Sequence, residues 1–107
     1  MTAVPALADE FFRLVHHDTT GQPLLHARAI GLGLAAALLG ELLWGRHLDV
    51  HDGCVYRRPE ATTPPADALA HTVLDQIAAQ PRYHEVRTWL GFLSHTAIED
   101  VAGRLRR

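Results

Sequence analysis

The sequence predicts a mainly α fold: a helical bundle around a central apolar helix at about residues 29–44, with one β-hairpin at about residues 47–58. Residues 29–44 are dominated by leucine, alanine and glycine without a proline, and leucine and alanine are strong helix formers. Asp52-Gly53 separates two strand-like runs, which is a strong short-range hairpin signal. The chain of 107 residues fits one domain, residues 1–107.

The central helix is apolar on most sides, which is typical of a core helix. It is shorter than the roughly 20 residues that span a bilayer and it contains Glu41, so we do not expect it to cross a membrane. Gly31, Gly33 and Gly40 each cost about 1 kcal/mol inside a helix. Either another backbone packs closely against them, or Gly31 and Gly33 mark a frayed helix start.

An amphipathic helix precedes the central one. Pro5 suits its first turn, and Leu7, Phe11 and Leu14 recur at helical spacing as its apolar stripe, which Phe12 and Val15 widen. Residues 16–23 form a polar turn that ends in glycine and proline.

The hairpin needs support from the helices, because an isolated hairpin is only marginally stable in water. Alternation along its strands places Leu48, Val50 and Val55 toward the helices. The opposite alternation places His47, Asp49 and His51 on one strand face, where three such side chains are candidate ligands for a metal. A solvated hairpin face is the favoured interpretation, since a metal site also needs supporting partners and usually a fourth ligand.

The second half of the chain continues as helices. Residues 59–65 form a proline-containing loop, and Asp67 can cap a helix with Leu69, Val73 and Ile77 as its stripe. A further helix starts near Val86 and carries Trp89 on its apolar side, so Trp89 is predicted to be a core anchor. Thr96 and Glu99 fit a capping box, so residues 86–105 form either two helices or one continuous helix.

Composition excludes several classes of protein. With 10 basic and 12 acidic residues the formal charge is −2, which argues against a nonspecific nucleic-acid binder. The single cysteine excludes an intrachain disulfide and a cysteine-rich zinc site. The basic residues are all arginine, which is typical of a GC-rich bacterial genome. The chain begins without a signal-peptide core, so the default compartment is the cytoplasm.

The inventory of reactive residues predicts a protein that is not an enzyme and needs no cofactor. Ser94 is the only serine, and the sequence contains no Gly-x-Ser-x-Gly, no phosphate-cradling loop and no His-Glu-x-x-His. Gly31-x-Gly33 lacks the third glycine and the preceding strand of a dinucleotide-binding fingerprint.

Several weak motifs occur together in a recognisable order. An acidic-x-x-Gly loop at residues 18–21 precedes the apolar helix, which ends in Glu-Leu-Leu, and the hairpin signal follows at residues 45–53. Helical segments at residues 67–77 and 86–93 continue the order. In this order and spacing the chain resembles the N-terminal half of the Golgi phosphoprotein 3 family, which has many actinobacterial relatives. Either the protein is naturally short or the chain is a fragment.

The resemblance implies a peripheral membrane adaptor that binds phosphatidylinositol 4-phosphate or another anionic phospholipid headgroup. The family's headgroup tryptophan and arginine fall at His26 and Ala35, so these specific ligands are not kept. The remaining headgroup candidates are His26, Arg28 and Arg46, since an arginine fork suits phosphate. The alternative is a soluble oligomerisation or protein-interaction module of the same fold without lipid binding.

Self-association is also predicted. A central helix that is apolar nearly all round needs more cover than a few short elements provide, and exposed apolar patches usually mark an interface. We therefore expect a homo-oligomer, most simply a two-fold dimer. In the family such a hairpin has been associated with self-association. The candidate interface residues lie in the hairpin and the last helix: Val55, Tyr56, Ile98, Val101 and Leu105.

Overall fold

The computed structural model describes residues 6–58, 65, 67–80 and 84–106. This part of the chain contains five helices and one two-stranded antiparallel sheet, which confirms the predicted mainly α fold. The elements in chain order are α1 (Leu7–Leu14), α2 (Ala27–Trp44), β1 (Leu48–His51), β2 (Cys54–Arg57), α3 (Ala68–Ala78), α4 (Val86–Ser94) and α5 (Ala97–Arg106). The predicted role of Pro5 and most of the predicted 59–65 loop lie outside the described residues.

Helix α2 is the centre of the core, as predicted. Ile30, Leu34, Leu38 and Leu42 recur every four residues along it and are almost completely buried. Helices α1, α4 and α5 pack against it, and α3 and β1 make smaller contacts. By length and composition α2 could cross a membrane, but core helices of soluble domains meet the same criteria. Here the stripe of Ile30, Leu34, Leu38 and Leu42 is covered by the chain's own helices.

Two of the α2 glycines allow close packing. A Cβ on Gly31 would lie 2.9 Å from the backbone oxygen of Ser94, which shows how closely the end of α4 approaches α2. A Cβ on Gly33 would collide with the ring of Phe11 from α1. Both glycines lie inside the continuous helix. The interpretation of a frayed helix start is therefore wrong, and close packing explains why glycine is tolerated here.

Helix α1 packs with only part of its predicted stripe. Val15 is buried, and Phe11 and Phe12 are partly buried against the core, as predicted. Phe11 lies against Gly33 of α2, and the partly exposed Leu7 lies near Gly40. The prediction was wrong for Leu14, which is 75% exposed, and it missed Ala8, which is completely buried.

The hairpin has the predicted position and a two-residue turn. Val50 pairs with Val55 and His51 with Cys54. Asp52 and Gly53 have φ angles of 51° and 75°, and two such left-handed residues form the tight turn that suits strand twist. Leu48 and Val55 are buried against the helices as predicted. Val50 is 40% exposed although it lies opposite Val55, because it is on the outer strand, whereas β2 is also bonded to the segment before α4.

The segment before α4 supports the hairpin on its inner edge. The Val55 N–H donates to the His84 carbonyl at 3.0 Å, and the Val86 N–H donates to the Gly53 carbonyl at 2.8 Å. These bonds fasten β2 to the start of α4. They provide the support that a two-stranded sheet needs.

The remaining helices follow the predicted signals. The Asp67 carboxylate accepts the Ala70 N–H at 2.8 Å as an N-cap, and the predicted α3 stripe is buried. The chain forms two helices after residue 86, not one, because α4 ends at Ser94 and α5 begins at Ala97. The Thr96 hydroxyl donates to Asp100, one residue beyond the glutamate of the predicted capping box. Trp89 is buried, which confirms its predicted place in the core.

Candidate functional site

The start of α2 carries two of the three predicted headgroup residues. His26 is the N-cap, and its Nδ1 accepts the backbone N–H of Arg28 at 3.1 Å. Arg28 is exposed, and the first turn of α2 contains no acidic residue. The free N–H groups and the dipole of a helix make its N-terminus favourable for anions. An arginine and a helix start therefore face solvent together at this end.

Three exposed leucines lie at the end of α1 and in the connection that leads to this helix start. Leu14, Leu24 and Leu25 are 75%, 57% and 50% exposed. The Leu24 N–H donates to the Val15 carbonyl at 2.7 Å, which folds the α1–α2 connection back onto the end of α1. We refer to Leu14, Leu24 and Leu25 as the leucine rim.

Arg46 does not belong to this surface. It follows the opposite end of α2, whose 18 residues span about 27 Å. Arg46 has a left-handed backbone with φ 62° and stands at the base of the hairpin. His26 and Arg28 therefore form one candidate headgroup surface, and Arg46 is separate from it.

The metal-site candidate in the hairpin is not assembled. His47 is buried, whereas Asp49 and His51 are exposed on β1. The Asp49 carboxylate accepts the neighbouring Val50 N–H at 2.9 Å. Within the described residues, no three His, Cys, Asp or Glu side chains are grouped so that they could hold a metal ion. The predicted alternation of strand faces does not apply to His47, because β1 begins only at Leu48.

The predicted interface residues do not form one exposed patch. Val55 and Val101 are core residues that are 2% and 0% exposed, so neither side chain protrudes from the surface of this chain. Tyr56, Ile98 and Leu105 are half-buried. Val55 is covered because β2 leans on the helices, and Val101 because α5 turns this face inward.

An apolar groove lies between α2, the hairpin and α4. Its cavity is about 130 Å³ in volume. Leu43 and Val50 form its exposed edges, being 38% and 40% exposed. The groove is lined mainly by Leu39, Leu43, Leu48, Val50, Val55 and Leu90. It lies nearer the end of α2 than the leucine rim does, since Leu43 is in the last turn of the helix.

An ionic cluster centred on Arg104 lies among α1, α2, α5 and the start of α3. The Arg104 guanidinium binds Glu41 in a bidentate manner, Nη1 to Oε1 at 2.9 Å and Nη2 to Oε2 at 2.8 Å. Its Nε donates to Asp9 Oδ1 and its Nη1 to Asp67 Oδ2, both at 2.9 Å. One arginine of α5 thereby joins α1, α2 and the cap of α3.

Carboxylates of this cluster accept further hydrogen bonds from the backbone. Glu41 Oε2 also accepts the Ala8 N–H at 2.9 Å, and Asp67 caps α3 with the oxygen that binds Arg104. Burial alone would lower the pKa of Arg104, but the hydrogen bonds that its guanidinium donates to Glu41, Asp67 and Asp9, together with the charge of Glu41, outweigh this effect and raise the pKa above its ordinary value. Sequence reasoning missed Arg104. The available signal was Glu41, because a carboxylate inside an apolar helix requires a buried partner.

These features define a small mainly α domain built on one apolar helix, with a hairpin at the end of that helix. The model of the Golgi phosphoprotein 3 (GPP34) family matches residues 7–107, and the chain belongs to this family. This confirms the resemblance drawn from the motif order, and the family is not a known enzyme family. No curated protein and no solved structure matches the chain.

Proposed function

We propose that the chain is a peripheral membrane adaptor that binds the anionic headgroups of phospholipids at the start of α2. The observation that carries this proposal is the leucine rim beside Arg28 and the N-terminus of α2. Protruding leucines enter the boundary between headgroups and acyl chains, while a basic group stays at the phosphate level. The two features therefore suit one membrane surface.

The position of Ala35 argues for a general preference for anionic headgroups. The family's headgroup arginine falls at Ala35, and this residue is completely buried under the packed helices. The chain's own cation near this end is Arg28, which is exposed and lies in the first turns of α2. We infer that phosphate is recognised mainly through charge, so phosphatidylinositol 4-phosphate is one of several acceptable headgroups.

Flotation with vesicles tests the proposal. We expect the chain to float with vesicles that contain phosphatidylserine or phosphatidylinositol 4-phosphate, and to stay behind with pure phosphatidylcholine. Arg28→Glu should weaken binding about five- to thirty-fold, because each basic group near an anionic surface is worth about 1 kcal/mol and a reversal changes two charges. Leu24→Asp should also weaken it, and added salt should reduce binding further.

Arg106→Glu is the matched control. Arg106 is exposed in the last turn of α5, so its reversal makes the same change of charge away from the leucine rim. Equal losses for both arginine variants would indicate an effect of net charge alone. An absence of binding to either anionic vesicle would refute the proposal and leave the soluble interaction module as the better interpretation.

A further inference from the structure

The second exposed apolar surface of the molecule has a different shape from the leucine rim. The apolar groove is concave: Leu39, Leu48 and Val55 form a buried floor, and Leu43 and Val50 form the edges. A bilayer receives protruding side chains, whereas a concave apolar groove receives a side chain from its partner. The shape of the groove therefore favours a protein segment over a membrane.

Two arginines stand at the hairpin end of the groove. Arg57 lies directly opposite Leu48 in the sheet, so its side chain is on the groove face. Arg46 is exposed between α2 and β1, two residues after the exposed Trp44. Within the described residues, neither arginine forms an ion pair with a carboxylate.

The free edge of the sheet is closed to strand addition. Asp49 Oδ1 accepts the Val50 N–H at 2.9 Å, so one of the outward donors of β1 is already occupied. A carboxylate on an edge strand also discourages pairing with another strand. The mode of binding that remains is insertion of apolar side chains from an amphipathic helix into the groove.

We propose that the groove binds an acidic amphipathic helix of a partner protein, with large apolar side chains in the groove and carboxylates against Arg57 and Arg46. This goes beyond the membrane proposal and does not depend on it. The cavity of about 130 Å³ accommodates one large apolar side chain, or two from positions i and i+3 or i+4 of the helix. Charge complementarity sets the orientation of the helix.

Selection from a displayed library of random helical peptides tests the inference. The whole chain is the target, and the Leu43→Asp variant is used for counter-selection. Because Leu43 is already 38% exposed, this variant should fold, and circular dichroism verifies it. We expect enriched peptides to be net acidic, with apolar residues at helical spacing. A synthetic enriched peptide should bind Leu43→Asp and Val50→Asp at least about tenfold more weakly, a loss of about 1.4 kcal/mol.

Two further variants test the charge preference of the groove and the position of the binding site. Arg57→Glu should bind the acidic peptide more weakly and should favour a peptide with lysines in place of the carboxylates. Leu14→Asp at the leucine rim should bind the acidic peptide as the wild type does. Enrichment of basic peptides, or no enrichment over the counter-selected variant, would overturn the inference. Loss of vesicle flotation in Leu43→Asp would also overturn it, because the groove would then be a membrane contact.

Discussion

Replacing Arg104 by methionine should destabilise the fold strongly. Methionine keeps much of the side chain's apolar length but removes the guanidinium that four hydrogen bonds join to Glu41, Asp67 and Asp9. The side chain of Glu41 is only 5% exposed, so its carboxylate would be left charged without a cation. Breaking a buried ion pair in this way costs about 3–5 kcal/mol. The other two carboxylates are more exposed and add less, because solvent screens them.

Urea unfolding followed by circular dichroism measures this loss. Arg106→Met is the matched control on the same helix, and it should change the free energy of unfolding by less than about 0.5 kcal/mol because Arg106 is exposed. Glu41→Leu combined with Arg104→Met should recover much of the loss, since it removes the orphaned charge. If Arg104→Met alone lost less than about 1 kcal/mol at an unchanged m-value, the cluster would not stabilise the fold as argued.

The raised pKa of Arg104 also predicts how the stability difference between the wild type and Arg104→Met depends on pH. The pKa of Arg104 is raised in the folded state, so its stabilising contribution is fully present at every pH below the unfolded pKa of arginine. It is lost only in strongly alkaline solution, as the pH rises through the folded pKa. The difference in stability between the wild type and Arg104→Met should therefore not fall between pH 6 and pH 9 through titration of Arg104. A fall across that range would assign the effect to another group.

Three further predictions test the packing of the domain. Trp89→Ala should cost about 3–5 kcal/mol in urea unfolding, and a loss under about 1 kcal/mol would place the ring outside the core. Gly31→Ala should lower the free energy of unfolding by about 1–3 kcal/mol, because its Cβ would meet the Ser94 carbonyl. Gly91→Ala has open space and should raise it by up to about 1 kcal/mol. The opposite order of stabilities would refute the close contact at Gly31. Self-association stays a prediction: light scattering at micromolar concentration should give a dimer mass, and a monomeric mass would contradict it.

Local signals predicted the elements of the fold well. The Asp52-Gly53 turn fixed the hairpin register, because a two-residue loop permits only one pairing of the flanking residues. The Asp67 cap marked the start of α3. Such features depend on a few neighbouring residues, so they can be read directly from the sequence.

Features that depend on distant residues were missed. The stripe of α1 was assigned by spacing alone, but Ala8 and not Leu14 faces the core, because the approach to α2 selects the rotation of the helix. Arg104 binds Asp9 and Glu41 across 95 and 63 residues of sequence. Periodicity along one segment carries no information about such partners.

The apolar character of α2 on all sides suggested a large uncovered surface, but the fold distributes that surface differently. The surrounding helices and the hairpin cover the middle of α2, so exposed apolar side chains are concentrated near its two ends. The leucine rim with Arg28 lies at the start, and Leu43 and Trp44 with Arg46 lie at the end. The helix separates these ends by about 27 Å, which is beyond the range at which substitutions usually couple. One small headgroup cannot bridge them. Substitutions at the leucine rim should therefore change vesicle binding without changing peptide binding in the groove, and substitutions in the groove should do the reverse.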